Sequence, residues 1–409
     1  MGACAAAAAA CAVAAGCSAN GAFSSAVSGA SATSASTPAR SGSPQGTAKG
    51  TANDGAPTIA APGAACVAQV YRQLTLAQRV GQLFLVAVPA DLAGSDTVQA
   101  VDAYHFGSVL LPKNDDGTAA LSSATAAIQA LAPTATGGVR FLVAANQEGG
   151  EIQQLSGPGF DVMPSELVQG TWATSALQAQ AQTWGSQLRA AGVNLNLAPV
   201  MDVVPTATAA SNAAIGALDR EFGSDPQANG AHGVAYIKGM AEAGVASVAK
   251  HFPGLGRVSG NTDFTSDVVD NVTTANDPYL DSFRAVVNAG VPYVMVAEAT
   301  YTKIDPSHLA VFSPVIMRLL RTGLGFKGVI LSDDLGEAAA VASIPAAQRA
   351  IDFLNAGGDL ITSQDIGPAE QMAAAVVAQA SSSPSFRAIV DDDAQRVLAA
   401  KQAQGLLPC

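Results

Sequence analysis

The chain has 409 residues, of which 49% are hydrophobic and 13% are charged, and its formal net charge is −12. That length can bury a sizeable core, and it can hold one large barrel or several ordinary domains. An acidic chain without clusters of Lys and Arg has nothing to neutralise phosphates, which argues against a nucleic-acid-binding protein. After residue 66 no apolar stretch reaches the ~18 residues that a membrane helix needs. The composition therefore predicts a compact, enzymatic body without nucleic-acid partners.

The N-terminal segment carries no charged side chain over residues 1–39, and its Ala-rich opening ends in Ala15-Gly16-Cys17. Small residues that lead into a cysteine resemble the processing site of bacterial lipoproteins, where the cysteine is acylated and becomes the mature N-terminus. We therefore interpret residues 1–17 as a lipoprotein-type signal segment with Cys17 as the lipidation site, although the positive stretch of a normal export signal is missing. The alternative is a disordered tail. On the first interpretation the protein is exported, as a cell-surface lipoprotein or a secreted protein, and it contacts the membrane only through this lipid.

Residues 18–64 are rich in Ala, Ser, Thr, Gly and Pro and nearly free of large apolar side chains. Such a segment cannot bury enough surface to offset its ordering entropy, so we predict a flexible linker before a folded domain at residues 65–409. Cys66 and Cys409 lie at the two ends of that domain, and they form either a disulfide in an oxidising compartment or two free thiols. The spacing of Cys and His does not indicate a metal site, and we expect no metal and no cofactor.

Eight short apolar runs alternate with stretches of helical periodicity along the body of the chain. Continuous apolar runs between helices are typical of parallel strands covered on both faces. We therefore predict an α/β fold, a (β/α)8 TIM-type barrel with a helical tail at Ser385–Gln404, and a doubly wound open sheet as the alternative. The predicted strands are Gln82–Val88, Gly107–Leu111, Arg140–Ala145, Asn194–Val200, Ala246–His251, Pro292–Ala297, Gly328–Leu331 and Asp359–Thr362, and the clearest helical stretches are Thr174–Ala190, Pro226–Ala243 and Asp277–Asn288.

Polar residues follow five of these runs directly. In a TIM-type barrel the catalytic groups lie where the strands end, at the C-terminal face. Charged groups at the ends of otherwise apolar strands are hard to explain as core, so they indicate an active site at that face. The segments are Asn146-Gln147-Glu148, Met201-Asp202, Lys250-His251, Glu298 and Ser332-Asp333-Asp334.

Six motifs, spread over roughly residues 70–400, lie in the order and spacing of a known enzyme family. They are Glu148-Gly149-Gly150, Ala198-Pro199-Val200-Met201-Asp202-Val203, Arg220-Glu221-Phe222-Gly223-Ser224-Asp225-Pro226, Lys250-His251-Phe252-Pro253-Gly254, Leu324-Gly325-Phe326-Lys327-Gly328 and Ser332-Asp333-Asp334-Leu335. With these motifs the chain resembles glycoside hydrolase family 3, and within it the branch of single-domain bacterial β-N-acetylglucosaminidases.

The resemblance implies a retaining, exo-acting β-glycosidase that removes a terminal non-reducing sugar through a covalent glycosyl-Asp intermediate. It implies that Asp333 is the nucleophile, and we interpret its neighbour Asp334 as a loop-capping residue. The sugar-binding positions of the family correspond to Arg220, Lys250 and His251. For Arg220 the alternative is a purely structural role, in a loop salt bridge with Asp225. Further expected substrate contacts are Asn146, Glu148 and Asp202, although a loop-anchoring role suits Asp202 better.

The chain departs from this branch in the loop after Lys250-His251-Phe252-Pro253-Gly254, where the branch carries an Asp-x-His dyad as general acid/base. Here Asn261 occupies the Asp position and Asp263 occupies the His position. Three interpretations stay open. Asp263 replaces the histidine as acid/base, Glu298 acts as the acid from the end of its strand, or the acid is lost and the protein is a non-catalytic sugar-binding lipoprotein.

Two expected sugar contacts also differ, because Asn146 and Gln154 stand where the branch has Asp and Arg. Changed hydrogen-bonding groups redirect specificity. The glycone is therefore either an N-acetylhexosamine or another sugar, such as β-D-arabinofuranose, β-xylose or β-glucose, and a cell-wall glycan is the expected target. We expect a monomer whose only partner is carbohydrate.

Overall fold

The computed structural model describes residues 62–409. The predicted signal segment, Cys17 and the linker up to residue 61 lie outside the described residues. The first helix begins at Pro62, so the predicted linker extends three residues into the folded domain. This helix belongs to the domain because Val67 and Val70 are buried in a small cluster with Val139 and Leu398.

All eight predicted strands form, and they close into one parallel barrel in which each strand pairs with its neighbours in sequence and the last pairs with the first. The predicted TIM-type barrel is confirmed, and the open sheet is wrong. The strands are β1 (Phe84–Ala87), β2 (Ser108–Leu110), β3 (Leu142–Ala145), β4 (Leu195–Asn196), β5 (Ala246–Phe252), β6 (Tyr293–Val296), β7 (Val329–Asp334) and β8 (Leu360–Ser363).

Nearly every strand residue is buried without alternation, because side chains fill the barrel on one face and helices cover the other. Within residues 62–409, no helix combines the length and the apolar content required to cross a membrane. The helices are α1 (Pro62–Gln73), α2 (Leu76–Gly81), α3 (Ser95–Tyr104), α4 (Thr118–Gln129), α5 (Ala132–Ala135), α6 (Glu166–Gln169), α7 (Thr174–Ala190), α8 (Pro226–Glu242), α9 (Asp281–Asn288), α10 (Pro314–Arg318), α11 (Ala346–Ala356), α12 (Ile366–Ser382) and α13 (Pro384–Ala403).

Capping residues explain where several helices begin. Asp225 accepts hydrogen bonds from the backbone N–H groups of Gln227 and Ala228, and Pro226 stands at the first position of α8. The helix that we predicted from Asp277 instead starts with a 3₁₀ turn at Pro278–Leu280, and α9 follows. The reason is that the Asp277 side chain caps this turn at the N–H of Tyr279.

The N-terminal end of the barrel is closed by buried polar contacts. Lys401 of α13 donates hydrogen bonds to Gln82 Oε1 and to the carbonyl of Gly107, both at 2.6 Å. Burial lowers the pKa of Lys401 to about 7. These contacts lie at the face that serves stability in TIM-type barrels, whereas catalysis belongs to the opposite face.

A disulfide joins Cys66 of α1 to Cys409, with 6.0 Å between their Cα atoms. The bond links residues 343 positions apart. It fastens α1, which packs on α13, to the C-terminal residue. Of the two alternatives that the sequence left open, the structure contains the bonded one.

We expect Cys409→Ser to lower the free energy of unfolding by about 2–4 kcal/mol under oxidising conditions, because the unfolded chain regains the freedom that the cross-link removes. Denaturant titration with and without a reductant measures this loss. The matched control is the wild-type protein in reductant, which should unfold like the variant. The chain has five cysteines, so alkylated peptides are mapped, and alkylation of both Cys66 and Cys409 in the oxidised, folded wild-type protein would contradict the disulfide.

Candidate active site

The C-terminal ends of the strands open into a cavity of about 240 Å³. Buried side chains in the strands or directly after them, Leu110, Leu197 and Met295, contribute to its lining. The polar lining unites residues from six different segments of the chain, as expected for strand ends that meet at one face. These residues are Asn146, Glu148, Gln154, Arg220, Lys250, His251, Asn261, Thr262, Asp263, Asp333, Asp334, Thr362 and Gln364.

Asp333 lies near the end of β7 and is partly exposed in this cavity. Burial raises its pKa to about 6; the negative charges of Asp263 and Asp334 act in the same direction, while His251 and Lys250 oppose them. A carboxylate in this position can attack an electrophilic carbon that is bound in the cavity.

Asp334 has the loop-capping role that its sequence position predicts. Its Oδ1 accepts hydrogen bonds from the N–H groups of Gly336 and Gln364 at 2.9 and 2.8 Å, and its Oδ2 accepts from Glu337 at 3.2 Å. These bonds join the end of β7 to the end of β8. The backbone around Asp333 is therefore held rigidly.

Glu148 holds two cations in the cavity wall. Arg220 donates from Nε and Nη2 to its two carboxyl oxygens at 2.8 and 2.9 Å, and Lys250 Nζ lies 2.6 Å from Oε1. Burial raises the pKa of Glu148, but the charges and hydrogen bonds of Arg220 and Lys250 outweigh it and lower the pKa to about 2. The alternative salt bridge between Arg220 and Asp225 is wrong, because the Asp225 side chain caps α8 instead.

Two amide side chains lie beside Glu148, Arg220 and Lys250, at positions where the resemblance predicts charged side chains. Asn146 Oδ1 accepts a hydrogen bond from Lys250 Nζ at 2.9 Å. Gln154 Oε1 in turn accepts from the backbone N–H of Asn146 at 3.2 Å. Both amides line the cavity. They present neutral donors and acceptors where a carboxylate and a guanidinium are expected from the resemblance.

Asp202 positions His251 and does not itself contact the cavity. It is 0% exposed, and its Oδ2 lies 2.8 Å from His251 Nδ1. Its Oδ1 accepts from the N–H groups of His251 and Leu255 at 3.2 and 2.8 Å. The expected substrate contact at Asp202 is therefore wrong, and its role as a loop anchor leaves Nε2 of His251 available to a ligand.

Asp263 is exposed and lines the cavity from the loop that follows β5. Asn261, at the Asp position of the missing dyad, accepts a hydrogen bond from the N–H of Asp263 through Oδ1 at 2.9 Å. Ala339 and Ala340 donate backbone hydrogen bonds to the carbonyls of Asp263 and Thr262, both at 3.1 Å. The loop is fixed, and it presents a carboxyl group that is close enough to raise the pKa of Asp333.

Comparison with known proteins agrees with this geometry. Residues 75–400 match the family model described as the Glycosyl hydrolase family 3 N terminal domain. The chain belongs to glycoside hydrolase family 3. The resemblance found in the sequence is confirmed, and the protein is a glycoside hydrolase.

Three relatives illustrate the match. A beta-hexosaminidase from Xanthomonas campestris pv. campestris (strain B100) is 35% identical over 264 residues, which are 62% of this chain and 76% of the relative. The crystal structure of a beta-N-acetylhexosaminidase from Beutenbergia cavernae DSM 12333 has 48% identity and a TM-score of 0.79, covering 80% of this chain and 99% of that chain. A family 3 beta-N-acetylglucosaminidase from Paenibacillus sp. str. FPU-7 has 27% identity and a TM-score of 0.73, over 81% of this chain and 63% of that chain.

Glu298 occupies a closed position in this family 3 hydrolase, just after β6. It is 0% exposed, and neither carboxyl oxygen has a hydrogen-bond partner among residues 62–409. Burial raises its pKa well above the usual value; Asp333, Asp334 and Asp263 raise it further, and Arg349 opposes them. The alternative in which Glu298 protonates the substrate is therefore wrong, because its side chain has no access to the cavity.

We expect Glu298→Gln to remove a pH-dependent loss of stability. A carboxyl whose folded pKa is raised contributes stability below its unfolded pKa of about 4.3, and this contribution is lost as the pH rises through the folded pKa. Within that window the slope is about 1.4 kcal/mol per pH unit. Denaturant unfolding at acidic and alkaline pH should therefore show that the advantage of the variant over wild type grows with pH. A constant difference at every pH would contradict a neutral Glu298.

We expect kcat/KM of the family 3 hydrolase to rise with pH through about 6, because a nucleophilic carboxyl group at Asp333 would react only in its ionised form. A pH–rate profile on an aryl glycoside with a good leaving group measures this limb. Asp263→Asn is the control: it removes a charge that raises the pKa of Asp333, so the limb should move to lower pH. A limb that stays in place in the variant would show that the two carboxyls do not interact.

Sequence reasoning missed three residues at this site. Gln364 follows β8 and lines the cavity. It could have been predicted, because it is a polar residue that follows the eighth apolar run. Glu166 is buried, and both its oxygens lie 3.1 Å from the N–H of Val200. Phe264 lines the cavity beside Asp263. The sequence carries no signal for these two, since an acidic residue at a helix start and an aromatic in a loop are usually ordinary features.

Proposed function

We propose that this protein is a retaining, exo-acting β-glycosidase with Asp333 as nucleophile and Asp263 as general acid/base. The observation that carries the proposal is that these carboxyl groups, from β7 and from the loop after β5, face one cavity. A retaining glycosidase needs two such carboxyls, one to attack and one to exchange protons. Asn261 accepts a hydrogen bond from the N–H of Asp263. The loop therefore holds the proposed proton donor in place without the Asp-x-His dyad.

In the first step Asp263 donates its proton to the glycosidic oxygen while Asp333 attacks the anomeric carbon. The bond from the anomeric carbon to the leaving group breaks, an ester bond to Asp333 forms, and the aglycone departs with the proton. In the second step Asp263 takes a proton from water, whose oxygen attacks the anomeric carbon and releases Asp333. Two inversions at one carbon yield a product of retained configuration.

The cations Arg220 and Lys250 stabilise the transition state through hydrogen bonds to the sugar. Arg220 and Lys250 are held by Glu148, so their remaining N–H groups are pre-positioned for sugar hydroxyls. His251 is oriented by Asp202 in the same manner. Donors that need no reorganisation when charge develops are the most effective ones.

The dimensions of the cavity favour cleavage at the end of a glycan. Its volume of about 240 Å³ and its lining of buried strand residues suit one sugar residue bound with its reactive carbon toward Asp333. A glycan that continued in both directions would need an open cleft. The proposed reaction therefore releases a terminal, non-reducing sugar.

An N-acetylhexosamine is the first glycone to test, because the relatives are named hexosaminidases. Asn146 and Gln154 support a test of other glycones, since they alter the charges around Lys250. The expected signal segment and the disulfide between Cys66 and Cys409 support export. An exported enzyme of this kind meets cell-wall glycans, which we propose as its substrates.

The experiment that tests the function is turnover of a panel of aryl β-glycosides by the full-length protein. The panel contains the N-acetylglucosaminide, glucoside, xyloside and arabinofuranoside, and NMR of the fresh product reports its anomer. We expect one glycone to dominate and its β-anomer to appear first. An α-anomer appearing first would overturn the nucleophilic role of Asp333. No turnover by the folded protein would favour the sugar-binding alternative.

A further inference from the structure

Phe264 is the large apolar side chain that stands out at the active site, because it is 82% exposed although it follows Asp263 directly. It lines the catalytic cavity together with the half-buried Ile152 and Leu218. Burial of a side chain of this size normally stabilises a protein, but this fold leaves the Phe264 ring in contact with solvent. The exposed ring is therefore available to a ligand.

The exposure of Phe264 is not the result of a loose loop. Its backbone N–H donates to the carbonyl of Asn261 at 3.1 Å. Thr262 is buried, and the carbonyls of Thr262 and Asp263 are held by Ala340 and Ala339. A fixed backbone on both sides of Asp263 keeps the ring next to the proposed proton donor. The backbone that carries the ring is thus pre-positioned, which lowers the entropy cost of binding a ligand.

The position of the proposed acid determines which part of the substrate meets this ring. A general acid lies beside the glycosidic oxygen, where the glycone ends and the leaving group begins. Glu148, Arg220, Lys250 and His251 are buried or largely buried, and the proposed function assigns them to the glycone. The exposed residue next to the acid therefore lies on the leaving-group side.

We propose that Phe264 stacks on the sugar ring of the leaving group and so determines aglycone preference, an inference that rests on the proposed function. One face of a β-linked pyranose presents C–H groups, and an aromatic face packs against such a surface. Ile152 and Leu218 add apolar surface to the same cavity. The substrate class is a β-linked di- or oligosaccharide whose second residue offers an apolar face.

The test compares two substrates with the same glycone, a β-linked disaccharide and a β-glycosyl fluoride, which has no ring in its leaving group. For Phe264→Ala we expect the ratio of kcat/KM values, disaccharide over fluoride, to fall about tenfold. Phe264→Tyr should keep the wild-type ratio, because it preserves the aromatic face. The matched control is Val162→Ala, since Val162 is 92% exposed and lies outside the cavity lining.

The outcomes separate the two proposals. If wild type hydrolyses neither substrate, the proposed function has failed. If wild type hydrolyses both and Phe264→Ala leaves the ratio at the wild-type value, only the stacking role is overturned, and the exposed ring serves another partner, such as a second copy of the chain. Equal losses on both substrates would likewise overturn it, since they would indicate a disturbed loop. Phe264→Ala should also give less transglycosylation to an added acceptor sugar.

Discussion

Asp333→Asn is expected to lower kcat on the best aryl β-glycoside on the order of 10⁴- to 10⁶-fold, the range seen when a nucleophile is removed from a covalent mechanism. The amide has nearly the shape of the carboxylate, but it is a far weaker nucleophile and carries no charge to stabilise an oxocarbenium-like transition state. The backbone around it is held by Asp334, so the variant should keep its fold.

Intact-protein mass spectrometry after incubation with a slow fluorosugar substrate gives an independent readout. The wild-type protein should gain the mass of one glycosyl group on Asp333, and the variant should gain none. Asp102→Asn is the matched control, since Asp102 is an exposed carboxylate on α3. A label on another carboxylate, or an active Asp333→Asn, would assign the nucleophile elsewhere.

Asp263→Ala is expected to lower kcat/KM on a disaccharide by about 10²- to 10⁴-fold, the usual contribution of a general acid. The loss should shrink as the leaving group improves, because a phenolate with a low pKa departs without protonation. A plot of log kcat/KM against leaving-group pKa measures this dependence. Its slope should be steeper in the variant than in wild type.

Added azide distinguishes a lost acid/base from a disturbed loop. Once a good leaving group has formed the glycosyl-enzyme, the variant lacks the base that activates water, and azide can attack without one. We expect azide to accelerate Asp263→Ala and to yield a β-glycosyl azide, with no effect on Glu298→Gln. Equal losses for every leaving group and no rescue would show that Asp263 only supports the loop.

The eight strands and the place of the active site could be predicted from the sequence. Eight apolar runs between helices require a sheet that is covered on both faces, and the polar residues after those runs must meet at one end of the barrel. Asp333 and Lys250 were found in this way. Local patterns were sufficient because strand, helix and strand end each depend on residues that are near in the chain.

Partners that are distant in sequence were decided only by the tertiary structure. Glu148 binds Arg220 across 72 residues, and Asp202 orients His251 across 49. Cys66 meets Cys409 only when the barrel closes and brings both ends of the domain together. Sequence patterns report which side chains are present, but not which of them are neighbours after folding.

Access to solvent was likewise decided by the fold. Glu298 and Asp263 both looked suitable as the acid, yet Glu298 is fully buried whereas Asp263 lines the cavity. Phe264 looked like an ordinary loop residue, and the fold leaves it exposed beside the proposed acid. The sequence determined the barrel, the family and the carboxyl groups of this protein. Packing decided which of those groups a substrate can reach, because burial depends on every element around a side chain rather than on its own segment.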